Sequence, residues 1–162
     1  MRWRIYLLSM DVTDELADAY VTASRALVGL AVHSVGAAPT EVTVAQFRLL
    51  VLVAGAGERT VGDIAEHLGV NHSNASRHCD RLERLGLLAR RRSRSDGRVV
   101  RVRLTEAGQD LVDQVTRARR ADVRRVLARM SPDEAAGALV ALRAFGRAAG
   151  ELDEPGWAVH AW

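Results

Sequence analysis

Hydrogen-bonding side chains recur at helical spacing between Asn71 and Gly86 of this 162-residue chain. Ser73, Arg77 and Arg81 are four residues apart, so a helix over this segment would present them on one face. Hydroxyl, amide and guanidinium groups are the groups that read base edges in the major groove of DNA. We therefore predict a recognition helix whose DNA contacts come from His72, Ser73, Asn74, Ser76, Arg77 and Arg81.

An arginine-rich segment follows at residues 84–103. It holds eight arginines and one acid, a net charge of +7, whereas the whole chain carries +3. Positive charge concentrated in this way releases counterions from phosphates and strengthens DNA binding. Alternating valines from Val100 predict the second strand of a β-hairpin, a wing, and a solvated charge run in a loop would not need that alternation. We expect the wing to bring Arg94, Asp96 and Arg98 to DNA, with Arg98 in the minor groove and Asp96 holding a neighbouring guanidinium.

The recognition helix needs a partner helix and a buried face to hold it in position. The partner is predicted over 61–68, with an apolar stripe of Val61, Ile64, Ala65 and Leu68. The recognition helix has its own stripe of Ala75, Cys79, Leu82 and Leu85. Thr60 and Asn71 can cap the two helix starts, and Gly69 and Gly86 can end them. This is the pattern of a helix-turn-helix.

The rest of the chain is typical of long helices. Apolar residues at helical spacing predict helices over about 11–35, 43–54, 105–130 and 131–150. The expected fold is therefore mainly α with a small β-hairpin wing: a winged helix-turn-helix plus a helical dimerisation region. The first and last helices have apolar faces and no sheet to cover them, so we expect a homodimer that sets two recognition helices about 34 Å apart. The alternative is a monomer whose terminal helices pack only on one another.

Three motifs in the chain resemble the signature of the multiple-antibiotic-resistance-regulator (MarR) family. They are the segment LERLGLLAR at 82–90, Asp-Gly-Arg at 96–98 and LTEAG at 104–108. We expect a single domain over 1–162, with a winged helix-turn-helix lobe at 43–104 and a helical dimerisation region at 1–40 and 106–162. Two departures bear on the operator sequence and not on the fold. Asn71, His72 and Asn74 stand where serine or threonine is commoner, and residues 93–95 lack the usual proline.

The resemblance implies a homodimeric, sequence-specific DNA-binding transcription regulator. Members of the family are repressors or activators, and many leave DNA when they bind a small ligand or are oxidised. We expect a repressor that a small-molecule effector releases from a pseudo-palindromic operator. The resemblance puts the effector cleft between residues 19–30 and 47–54. A DNA-binding regulator or architectural protein of the same fold without a small-molecule switch remains the alternative.

Other site chemistries find less support in the sequence. Cys79 lies on an apolar stripe, where a buried structural role is favoured over a redox sensor, because a reactive cysteine needs exposure and a lowered pKa. His72 and His78 are not at helical ligand spacing, so no metal site is expected. No nucleophile–base pair, phosphate loop or carboxylate pair indicates catalysis, and no cofactor is expected. The apolar run near the N-terminus is too short for a signal peptide or a bilayer span, so we expect a cytoplasmic protein with no membrane partner.

Overall fold

The computed structural model describes residues 3–92 and 99–151, with side chains from residue 13 onward within these ranges. The prediction of a mainly α fold with a small β-hairpin is confirmed. The elements follow the order α1 (Trp3–Gly36), α2 (Val44–Ala56), β1 (Arg59–Thr60), α3 (Val61–Leu68), α4 (His72–Arg84), β2 (Leu88–Arg92), β3 (Val100–Leu104), α5 (Glu106–Leu127) and α6 (Pro132–Ala148). Within the described ranges no helix is both long and apolar enough to cross a bilayer.

Helix α2 forms the centre of the core. Its side chains are apolar on nearly every side, and Leu49 and Leu50 are fully buried. The helix begins as predicted at Thr43, whose hydroxyl accepts a hydrogen bond from the backbone N–H of Gln46, while the Gln46 side chain accepts one from the backbone N–H of Thr43. This reciprocal cap satisfies two backbone donors at the helix start. Helix α2 thus gives the elements on either side a common surface to pack on.

The helix-turn-helix consists of α3 and α4, and its caps are those the sequence indicates. Thr60 caps α3 together with Asp63, and the Asn71 side chain accepts a hydrogen bond from the backbone N–H of Asn74 at 2.8 Å to start α4. Gly69 ends α3 at φ 64°, in the left-handed region that costs glycine little. Gly86 has φ 72° after α4, where the Leu87 N–H donates to the Leu82 carbonyl at 2.9 Å. Local sequence therefore determines where both helices start and stop.

The hairpin belongs to a three-stranded antiparallel sheet of order β1-β3-β2. In β3, Val102 pairs with Arg59 of β1 on one side and with Arg90 of β2 on the other. The sequence did not predict β1, because two residues show no alternation. Val100 and Val102 alternate in β3 as the sequence predicts, and Val102 is fully buried, whereas Val100 is 40% exposed because that end of the hairpin extends beyond the core.

Two helix boundaries differ from the sequence prediction by three residues or more. Helix α1 begins at Trp3 and not near residue 11, so the helix includes the short apolar run at 5–10. Helix α5 ends at Leu127, and Ala128–Met130 form a turn before Ser131 caps α6. At both ends the apolar residues keep helical spacing, but no capping residue marks the boundary in the sequence. Periodicity alone does not fix the last residue of a helix.

Candidate nucleic-acid interface

Helix α4 has one buried face and one open face. Ala75, Cys79 and Leu82 are at most 1% exposed and pack in the core. The opposite side carries Ser73 and Arg77, both exposed. Because the buried stripe holds the helix on α3 and the sheet, the polar side is turned outward and is available to a groove of DNA.

The six side chains predicted on this helix differ in exposure. His72, Ser73 and Arg77 are exposed, whereas Asn74, Ser76 and Arg81 are half-buried. Helical geometry places Ser73, Arg77 and Arg81 along one line and His72 and Ser76 along the next. The structure thus brings all six onto the first three turns of α4, with the more accessible ones at its N-terminal end.

Arg77 is held by a neighbour on the same helix. One of its terminal nitrogens donates to the side-chain oxygen of Asn74, three residues earlier. The backbone N–H of Asn74 in turn donates to the Asn71 cap. The amide therefore orients the guanidinium at the start of α4, which reduces the freedom that Arg77 would lose on contacting a base.

Two carboxylates on α4 were missed by the sequence interpretation. Asp80 and Glu83 both receive hydrogen bonds from Arg90 of β2, at 2.5 Å to Asp80 Oδ1 and 2.7 Å to Glu83 Oε2. Hydrogen bonding by Asp80 raises the pKa of the Arg90 guanidinium above its ordinary value. The residues are seven and ten positions apart, so only the return of the chain through Gly86 brings them together. The sequence offered one signal for this contact, which is a pair of acidic residues one helical turn apart, followed by an arginine-rich strand.

The wing is described only at its base. Arg94, Asp96 and Arg98 lie outside the described residues, and their roles remain predictions. At the base, Arg92 and Arg103 are exposed, and Arg91 forms an ion pair with Glu58 at 3.5 Å. The described part of the hairpin thus carries cationic side chains beside α4.

Cys79 has the environment of a structural residue. Its side chain is 1% exposed, and burial raises the pKa of its thiol to about 11. A thiolate is the reactive form, and burial in apolar surroundings suppresses it. Both findings argue against Cys79 as a redox sensor. Within the described ranges, no three histidine, cysteine or acidic residues lie together in a way that could hold a metal ion.

A separate cleft of about 280 Å³ lies between α2 and α5. Its apolar lining includes Phe47, Val51 and Val123, and its polar lining includes three arginines, Arg119, Arg120 and Arg124. The Arg119 guanidinium lies 5.2 Å above the Phe47 ring, and its Nε donates to Ser34 Oγ at 3.0 Å. The α2 wall matches the range 47–54 expected from the resemblance, but the opposite wall is α5 and not residues 19–30.

Comparison with known proteins supports the resemblance to the MarR family. The model of the MarR family matches residues 40–99. The chain is similar to RV1404 from Mycobacterium tuberculosis, with 37% identity, a TM-score of 0.81, and coverage of 88% of this chain and 97% of that one. A MarR family protein from Bacillus stearothermophilus is 27% identical, with a TM-score of 0.77 and coverage of 86% and 96%.

Curated relatives are transcription regulators. The chain is 33% identical to the HTH-type transcriptional repressor MdtR of Bacillus subtilis over 57% of this chain and 60% of MdtR. It spans only 58% to 60% of the length of the first three curated relatives that it matches. Their names describe regulators and not enzymes, in agreement with the prediction that this chain is not an enzyme.

Proposed function

This chain belongs to the MarR family, and we propose that it is a homodimeric, sequence-specific DNA-binding repressor that a small-molecule effector releases from its operator. The observation that carries the proposal is the open polar face of α4 beside an arginine-rich hairpin. A helix of this kind fits the major groove while a cationic wing contacts the adjacent backbone and minor groove. The repressor role follows MdtR, which is named a repressor. Such a regulator acts on the chromosome, in the cytoplasm.

For the DNA interface we propose His72, Ser73, Asn74, Ser76, Arg77 and Arg81 on α4, and on the wing Arg94 and Arg98, with Asp96 holding a neighbouring guanidinium. The exposed N-terminal residues of α4 support the first set. Arg77, already oriented by Asn74, is the residue best suited to fork onto a guanine. Recovery of one pseudo-palindromic motif from a pool of random duplexes would support sequence-specific binding. Enrichment of no sequence, with general affinity for DNA, would favour the architectural alternative.

The proposed homodimer rests on the outer surface of α1 and α6. No residue of α6 is buried, and Leu142 and Phe145 are 48% and 52% exposed. Tyr20 of α1 stacks on Phe145 with ring centroids 4.5 Å apart and donates to the Ala141 carbonyl at 3.2 Å. Packing of the two helices on one another thus leaves their apolar side chains about half exposed, and a second copy would cover them. Light scattering tests this, and a monomer at micromolar concentration would contradict it.

The cleft between α2 and α5 supports an effector site. A lining of apolar side chains and three arginines suits an organic anion with an apolar body. Because Arg119 also bonds to Ser34 at the end of α1, an anion there would act on the junction of α1, α2 and α5. Thermal unfolding with aromatic carboxylates and their neutral amides tests the site. We expect the carboxylates, but not the amides, to raise the unfolding temperature and to release the protein from its operator. No response to any compound would favour a regulator without this switch.

A further inference from the structure

The recognition helix carries two carboxylates at its wing side, which is unexpected on a surface that approaches phosphates. Asp80 and Glu83 lie one turn apart on α4, and their side chains are 49% and 39% exposed. Unpaired carboxylates there would repel the DNA backbone and weaken binding. A single guanidinium, that of Arg90, engages both of them.

The contact is a fork that spans one helical turn. Nη1 of Arg90 donates to Glu83 Oε2 at 2.7 Å, and Nη2 donates to Asp80 Oδ1 at 2.5 Å. A planar guanidinium that reaches two acceptors with different nitrogens fixes both distance and orientation, which a lysine ammonium does not. The fork therefore resists rotation of the C-terminal half of α4 about its own axis.

The backbone of Arg90 is held within the β-sheet. Arg90 stands in the middle of β2, opposite Val102 of β3, and Val102 is fully buried. Its side chain is 29% exposed, less than those of the two acids. The side chain of Arg90 thus connects the middle of the β2–β3 hairpin to helix α4.

We propose that Arg90 is a positioning residue that sets the orientation of α4 against the wing and so determines base specificity without contacting DNA. The inference rests on the proposed DNA-binding function. A guanidinium already surrounded by two carboxylates is a poor ligand for a phosphate, because the three groups together carry a net charge of −1. Arg90 contributes instead by neutralising and holding the acids.

The first experiment compares Arg90→Gln, Arg90→Lys and Arg92→Gln in the full-length protein. Arg92 is on the same strand and exposed, so its substitution removes the same charge without breaking the fork. Dissociation constants are measured for the selected operator and for a scrambled duplex over a range of KCl concentrations. Circular dichroism and thermal unfolding check that each variant is folded.

We expect Arg90→Gln to lower the ratio of operator affinity to scrambled-duplex affinity by about tenfold or more, which is the size of one lost base contact. The salt slope, that is, the slope of log affinity against log KCl concentration, should stay unchanged. Arg90→Lys restores the charge but not the fork, so the ratio stays low. Arg92→Gln keeps the wild-type ratio, with a salt slope lower by one unit at most. Equal loss of affinity for both duplexes in Arg90→Gln, with a slope lower by about one, would make Arg90 a phosphate contact and overturn the proposal.

The double variant Asp80→Asn, Glu83→Gln gives an independent test that leaves Arg90 in place. It makes the protein more positive by two charges, so simple electrostatics predicts tighter binding to every duplex. We expect scrambled DNA to bind at least as tightly as to the wild type and the operator to bind more weakly. Equal tightening on both duplexes would show that the acids only repel DNA, against the proposal. If the wild type itself selects no sequence, the proposed sequence-specific binding fails first, whereas selection that survives in every variant refutes only the role of Arg90.

Discussion

Replacement of Gly108 by alanine tests the packing that connects the recognition helix, the hairpin and α5. Gly108 is buried at the third position of α5, where the Thr105 hydroxyl caps its N–H at 3.0 Å. A Cβ atom there would lie 2.1 Å from the Leu87 carbonyl oxygen and 3.0 Å from Leu104 Cδ2. The first contact is with backbone, so no side-chain rotation relieves it. To reach an ordinary contact of 3.4 Å, α5 and the turn after α4 must separate by about 1.3 Å.

That separation acts on bonds that join the same two elements. The Leu87 carbonyl accepts the Thr105 N–H at 3.2 Å, and the Thr105 hydroxyl donates to the Gly86 carbonyl at 2.6 Å. In an open helix site, glycine to alanine stabilises by about 0.5–1 kcal/mol. Overpacking a rigid site costs about 1–3 kcal/mol, so we expect a net loss of stability for Gly108→Ala. For a chain of this size each 1 kcal/mol lowers Tm by about 2–4 °C.

The assay is thermal and urea unfolding at fixed protein concentration, with Gly55→Ala as the matched control. Gly55 is an exposed helical glycine in α2, and a Cβ there would meet no atom within 4 Å. The control should gain up to about 1 kcal/mol, opposite in sign to Gly108→Ala. If both variants gained stability, the close approach of α5 to Leu87 would be wrong.

Three further substitutions test the interface and the core. Arg77→Ala should relax preference at one base position per half-site, by about 1–3 kcal/mol, in a binding assay over single-base operator variants, whereas uniform weakening would indicate a phosphate contact. Cys79→Ser should cost about 1–3 kcal/mol of stability in urea unfolding through its buried hydroxyl, and DNA binding by the wild type should be insensitive to peroxide, so release by peroxide would contradict the structural role. The hydrogen bond from His33 and the charge of Arg125 lower the pKa of Asp122, so its stabilisation is present above the ordinary carboxyl pKa of 3.8 and disappears as the pH falls through the lowered value. Asp122→Asn should therefore reduce stability near pH 7 and flatten the acid limb of the stability profile, and an unchanged limb would refute the pairing.

Local sequence was enough to predict the helix-turn-helix and the face of α4. Thr60, Asn71 and Gly69 cap or end helices through hydrogen bonds within a few residues and through local backbone angles, so their effect does not depend on the rest of the chain. The buried stripe of Ala75, Cys79 and Leu82 follows in the same way from helical periodicity. The concentration of positive charge at 84–103 was likewise a property of the sequence alone.

Tertiary structure decided the contacts between segments far apart in the sequence. Three contacts depend on how separate elements pack together: the pairing of β1 with β3, the hydrogen bonds of Arg90 to Asp80 and Glu83, and the close approach of Gly108 to Leu87. The physical reason is that a cap or an apolar stripe lowers free energy within one element, whereas these contacts form only after packing has fixed the distances between elements. The sequence by itself determined the recognition helix; only the packed structure decided what orients it.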